Sequence, residues 1–191
     1  NLFNSDAWKP LPSGDGQRLS LRGQTNGRFY QSYNASFTEP WLGGKKPTSF
    51  TVGGFYTRYT TYADRESSSF GWFSISRGYV GLGTRLKWPD DNFVINTKVN
   101  IENISMDNYR GLFQFNGESV KDGNFNNYSL ETTLTRTSIN EPIFPRRGSK
   151  FSLKVQLTPP YSLFDGDEDY GDQSVQERFK WLEYHKWTFK S

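Results

Sequence analysis

Phe93-Val94-Ile95-Asn96-Thr97-Lys98-Val99-Asn100-Ile101-Glu102 is the stretch that decides how this chain folds. Phe93, Ile95, Thr97, Val99 and Ile101 take one side of an alternation, and Val94, Asn96, Lys98, Asn100 and Glu102 take the other. Successive side chains of a β-strand point to opposite faces, so a period of two gives one apolar and one polar face. A second run follows Lys150, with Phe151, Leu153, Val155 and Leu157 set against Ser152, Lys154, Gln156 and Thr158. The polar faces carry more hydrogen-bonding groups than a dry core could satisfy. One face therefore meets water, and the other meets either a second sheet or a lipid bilayer.

Working outward, the same alternation restarts about every 10–20 residues, and no helix-period segment intervenes. Eight strands are expected, over 17–26, 28–39, 49–63, 71–88, 92–105, 127–140, 149–159 and 176–190, each long enough to cross a hydrocarbon core at a tilt. Short turns at 40–48, 89–92 and 141–148 alternate with longer or more polar connections at 64–70, 106–126 and 160–175. Asn26-Gly27 breaks that trend as a tight hairpin of the type I′ class. Two strands resist a simple reading. In 71–88 the apolar phase passes from Phe73 and Ile75 to Val80 and Leu82 near Gly78, which implies a bulge or a change from loop hairpin to membrane span. In 49–63, Phe50, Val52 and Tyr56 oppose Phe55 and Tyr59, so its facing stays open.

The composition fits a transmembrane barrel. Only 34% of the 191 residues are hydrophobic, yet 17% are aromatic, including 6 Trp. A soluble sandwich of this length needs more aliphatic residues on its inner faces. A barrel instead carries an outward apolar band with aromatic girdles and a polar interior. Trp41 and Trp88 flank short turns, and Trp187 lies on a strand heading the same way, as membrane-interface aromatics would. Trp72 and Trp181 lie near the longer loops. No apolar run is long enough for a membrane helix. The net charge of +3 is scattered, with no basic stripe, so no nucleic acid partner is expected.

Catalytic parts are missing from the sequence. There is no cysteine, and His185 is the only histidine, with no motif around it. Gly78-Tyr79-Val80-Gly81-Leu82-Gly83 is not followed by a helix that could bind phosphate, so its glycines read as places of close packing. The acidic residues of 160–175 lack EF-hand spacing. We expect no enzyme activity, no catalytic or metal-binding residues and no cofactor. Lys98, Asn100, Glu102, Glu131 and Lys154 are the expected lumen-facing residues. A soluble β-sandwich that binds glycans through exposed aromatics remains the alternative from outside the membrane.

Two segments go beyond generic strand pattern. In Phe37-Thr38-Glu39-Pro40-Trp41-Leu42-Gly43-Gly44, Pro40 ends a strand and the glycines permit a tight return. Pro142-Ile143-Phe144-Pro145-Arg146-Arg147-Gly148-Ser149 joins two strongly alternating strands. In this order and separation they resemble motifs of the Omp85 family barrel, through Thr38–Leu42 and Phe144–Ser149. The opening stretch, with Trp8, Pro10, Leu11, Pro12 and Gly14-Asp15-Gly16-Gln17, resembles Bacteroidota-type members. The resemblance covers essentially the whole chain.

It implies an all-β, antiparallel transmembrane β-barrel in the outer membrane of a Gram-negative bacterium. Residues 1–191 would form part of the C-terminal barrel domain, roughly the third to tenth of sixteen strands. The POTRA domains, the terminal strands and the Arg-Gly-Phe loop of the family would be absent. The implied function is assembly and insertion of outer-membrane β-barrel proteins, with a porin or a protein-translocating relative as alternatives. The implied partners are the lipid bilayer and its lipopolysaccharide, nascent outer-membrane proteins, and the accessory lipoproteins of the assembly machinery.

Overall fold

The computed structural model describes residues 16–43, 48–61, 66–115, 118–139, 146–161 and 180–191. Eight strands form one antiparallel sheet: β1 (Arg18–Asn26), β2 (Tyr30–Glu39), β3 (Thr48–Thr60), β4 (Trp72–Arg85), β5 (Phe93–Asp107), β8 (Gly123–Thr137), β9 (Lys150–Leu157) and β10 (His185–Lys190). They pair in chain order, as a meander with β1 and β10 at its edges. Two three-residue strands, β6 (Phe113–Phe115) and β7 (Glu118–Val120), make a small separate hairpin between β5 and β8. That hairpin was not expected from the sequence. The last strand is also shorter than expected: before His185 only Trp181 makes a β-bridge, and 176–179 lie outside the described residues.

The pairing register explains why the chain takes this form. Leu19, Phe37, Val52, Val80, Val99, Leu130 and Leu157 oppose one another in turn across seven strands. A slip of one residue anywhere would turn a strand's apolar set to the wrong face. The β1–β2 hairpin shows the rule at work. Its loop is the three residues 27–29, with Gly27 at φ 55°, instead of a two-residue turn on Asn26-Gly27. A two-residue turn there would set Leu19 and Leu21 against Asn34 and Ser32. The longer loop sets them against Phe37 and Ala35.

β4 pairs residue for residue with β3 and with β5, so no bulge interrupts it near Gly78. The facing of the side chains is constant; their polarity changes. Toward the short turns, Val80 and Leu82 point to the apolar face. Toward the long connections, Phe73 and Ile75 point to the opposite face. There they join a buried cluster with Ile104, Met106 and Phe125, covered by Tyr109, Leu112, Phe113, Val120 and Leu182. The β6–β7 hairpin thus packs over the inner face at one end of the sheet. β3 is resolved the same way. Phe50, Val52 and Tyr56 share the apolar face, whereas Tyr59 stacks on Phe73 at 4.8 Å on the other.

β9 ends at Leu157, so it leaves the upper part of β8 without a strand partner. The segment 180–182 takes that place. The Asn126 amide donates to the Lys180 carbonyl at 2.8 Å, and the Leu182 amide donates to the Asn126 carbonyl at 2.9 Å. These bonds satisfy backbone groups that would otherwise be orphaned.

Candidate functional site

Lys98, Asn100 and Glu102 of β5, Glu131 of β8 and Lys154 of β9 lie on one face of the sheet. The ladder brings them together. Lys98 pairs with Glu131, whose carboxylate accepts from Lys154 Nζ at 2.8 Å. Glu102 is only 7% exposed and accepts from Arg77 Nε at 2.7 Å and also from Arg77 Nη2. Its second oxygen accepts from Asn127 Nδ2 at 3.2 Å. Asn127 and Gln156 both donate to the Tyr184 hydroxyl, at 3.1 and 2.8 Å. Asn100 and Gln156 both donate to Ser129 Oγ, at 3.4 and 3.1 Å. A charge-assisted network therefore runs from β4 to the approach to β10, with most of its buried polar atoms paired.

Arg77, Asn127, Ser129, Gln156 and Tyr184 were not singled out from the sequence. Arg77 was recoverable. Counting equal distances from the Pro89-Asp90 turn sets it opposite Glu102, and the ladder has that register. Tyr184 carried no such signal, because its backbone bonds to Thr158 extend β9 beyond its last strand residue.

Small residues give this face its room. Tyr79 lies over Gly53 and Lys98 lies across Gly81, with the Lys98 ammonium 5.6 Å from the Tyr79 ring centre. A side chain at either glycine would strike them. Of the glycines read from the sequence as points of close packing, Gly81 and Gly83 are crowded by Lys98, Asn96 and Ser49, whereas a Cβ at Gly78 would meet nothing within 4 Å; Gly53 was not part of that reading.

The opposite face is apolar and uncovered. Leu21 is 73% exposed, Val99 53% and Trp187 65%. Among the described residues no second sheet lies over it; the only other sheet is the β6–β7 hairpin on the inner side. Trp187 stands on this face opposite Val155, and His185 stands opposite Leu157. Past Ile101 the same face becomes polar, where Asn103 donates to Asn124 and Asn126 at 2.6 and 3.0 Å.

The short connections gather the motif residues. Thr38 Oγ1 lies 3.2 Å from Thr51 Oγ1, and Glu39 accepts from the Trp41 amide at 3.2 Å just after Pro40 ends β2. Gly43 follows at φ 76°. Trp41 and Trp88 are both exposed here. Gly148 has φ 101°, and a side chain there would run into the Ser138 backbone. Gly44, Phe144 and Pro145 lie outside the described residues, as do Lys45, Lys46 and the acidic 162–175. In the β4–β5 turn, the Asn92 amide holds the Asp90 carboxyl below its usual pKa, and the Arg136 guanidinium, at 3.0 Å, adds to that effect. Among the described residues no three histidines or carboxylates cluster in a way that could hold a metal ion. The arrangement holds a charged network on one face of the sheet and leaves the opposite face apolar.

Comparison with known proteins agrees with this geometry. The sequence profile of the Omp85 superfamily domain matches residues 13–190. No curated protein matches the sequence. Among solved structures, the chain is similar to BamA from Haemophilus ducreyi lacking POTRA domains 1–3, with a TM-score of 0.54 and 22% identity over 76% of this chain. The matched part is 29% of that BamA chain, so this chain spans less than a third of its length. The shared fold is an antiparallel barrel wall, left open here between β1 and β10. A two-faced strand meander, matched by one family profile over nearly its whole length, makes this chain a member of the Omp85 superfamily.

Proposed function

We propose that this chain is wall from an outer-membrane assembly factor of the BamA type, which inserts nascent β-barrel proteins. The observation that carries the reading is the unbroken apolar row from Leu19 to Leu157, uncovered on one face and backed by a charged network on the other. Hydrocarbon on the first side and an aqueous lumen on the second satisfy both faces. Lys98, Asn100, Glu102, Glu131 and Lys154 then line the lumen. Trp41, Trp88 and Trp187 anchor the wall among lipids, including lipopolysaccharide. The short turns, with Arg146 and Arg147, face the periplasm and the accessory Bam lipoproteins.

The mechanism needs no cofactor and no covalent step. A nascent strand entering lipid must have its backbone groups satisfied, and a barrel seam can template that pairing by strand addition. This segment holds the wall rigid while pairing occurs elsewhere in the barrel. The test is to shut off the full-length protein in cells and follow its clients. Outer-membrane barrels should accumulate unfolded in the periplasm. If they fold normally while export of a passenger protein fails, the translocating alternative replaces this one.

A further inference from the structure

The outward face carries a pit that the wall's own packing leaves unexplained. One cross-strand row runs Leu21, Ala35, Gly54, Gly78, Ile101, so three adjacent strands present almost no side chain between two aliphatic walls. The shallow, open depression over this floor has a volume of about 860 Å³, and its surface is overwhelmingly apolar. Tyr33 and Tyr56 stand on its rim.

Gly78 is the telling residue. Its φ is not in the left-handed region, and a Cβ there would meet no atom within 4 Å. Neither backbone conformation nor a neighbour requires glycine, although glycine weakens a strand interior. Gly54 differs, because its Cβ would crowd the Arg77 carbonyl at 2.9 Å. A strand glycine without an internal reason marks a place where something else comes close.

The surroundings say what that is. The pit lies at the upper margin of the apolar face, where Ser76 and Asn103 begin its polar continuation. Four residues further along β3 from Gly54, Arg58 shares this face, its guanidinium stacked on Trp72 at 4.7 Å. Arg58 Nε is buried without a hydrogen-bond partner. The rise is about 13 Å at ~3.3 Å per residue, which suits a headgroup above an acyl chain. We propose that the pit seats an acyl chain of one lipopolysaccharide molecule, with Arg58 meeting a phosphate of its lipid A headgroup. The proposal rests on the outer-membrane reading, which puts the long connections, and hence this margin, in the outer leaflet.

The test uses the full-length barrel in detergent, with purified lipid A added and bound lipid counted by native mass spectrometry. Wild type should retain one lipid A per barrel more firmly than phosphatidylglycerol. Gly78→Leu fills the pit where nothing resists it, and retention should fall at least tenfold while heat-modifiable mobility stays that of a folded barrel. Arg58→Gln should weaken lipid A retention several-fold, and Val80→Leu beside the pit should leave it unchanged. Undiminished retention by Gly78→Leu overturns the proposal, as does equal retention of phosphatidylglycerol. Client assembly is scored separately in cells, so a wall that still supports assembly but ignores the Gly78 change sinks the lipid site alone.

Discussion

The two halves of β5 are opposites built on one register. Below Glu102, Ile95, Val99 and Ile101 face outward and Lys98 and Asn100 face inward. Above it, Asn103 and Ser105 face outward and Ile104 and Met106 face inward. The pairing with β4 and β8 never slips between them. Side-chain parity is fixed by the backbone, so the inversion records a change in what lies on each side. In the lower half, the outward apolar groups have no protein over them among the described residues, and the proposed function puts hydrocarbon there. In the upper half the inward apolar groups meet protein, namely the loop around β6 and β7.

The largest expected effect breaks the upper half. Phe125 is 2% exposed and packs against Phe113 with ring centres 5.0 Å apart. Phe125→Ala should cost roughly 3–5 kcal/mol of local stability. Limited proteolysis of the full-length barrel should then cut within 108–122, while the lower strands stay protected. Charge insertion comes next and sharpens the comparison directly. Val99→Arg should cost about 2–4 kcal/mol in urea unfolding from lipid bilayers, against under about 1 kcal/mol for Asn103→Arg on the same face. Lys98→Gln on the opposite face should be nearly neutral. Equal costs at Val99 and Asn103 would mean that no hydrocarbon boundary lies between them.

The smallest effect concerns the short-turn end. The folded pKa of Asp90 lies below the ordinary aspartate value, so its contribution is present at neutral pH and fades as pH falls through the folded value. Wild type and Asp90→Asn should therefore differ slightly at pH 7. They should converge well below pH of about 3.9. A difference that grows on acidification would assign the effect to some other group.

The lower half was legible because its alternation is the one a membrane strand requires. Phe93 to Glu102 and Phe151 to Thr158 gave strands, facing and polar set together. The upper half was opaque for the same reason inverted. Gly123 to Asn126 begin β8 with Phe125 inward, which breaks a pattern read as apolar-out, so β8 was expected to start four residues late. β6 and β7 are three residues each, too short for periodicity to register. The polar network was half visible: residue types told which face was wet, but only exact pairing told that Glu102 meets Arg77. Tyr184 falls inside the strand expected over 176–190, but the structure starts β10 at His185, and nothing in the alternation marked its hydroxyl as a meeting point for Asn127 and Gln156.

The strict nearest-neighbour order of the sheet has a kinetic side. Every ladder joins strands adjacent in the chain, apart from the detour through β6 and β7, so the wall can zip up hairpin by hairpin with no distant search. The steps are unequal. Bringing β9 to β10 closes residues 158–184, whereas β1 to β2 closes only 27–29, an entropic difference of roughly 2 kcal/mol. Among the ladders described, β9–β10 should therefore be the last rung to form.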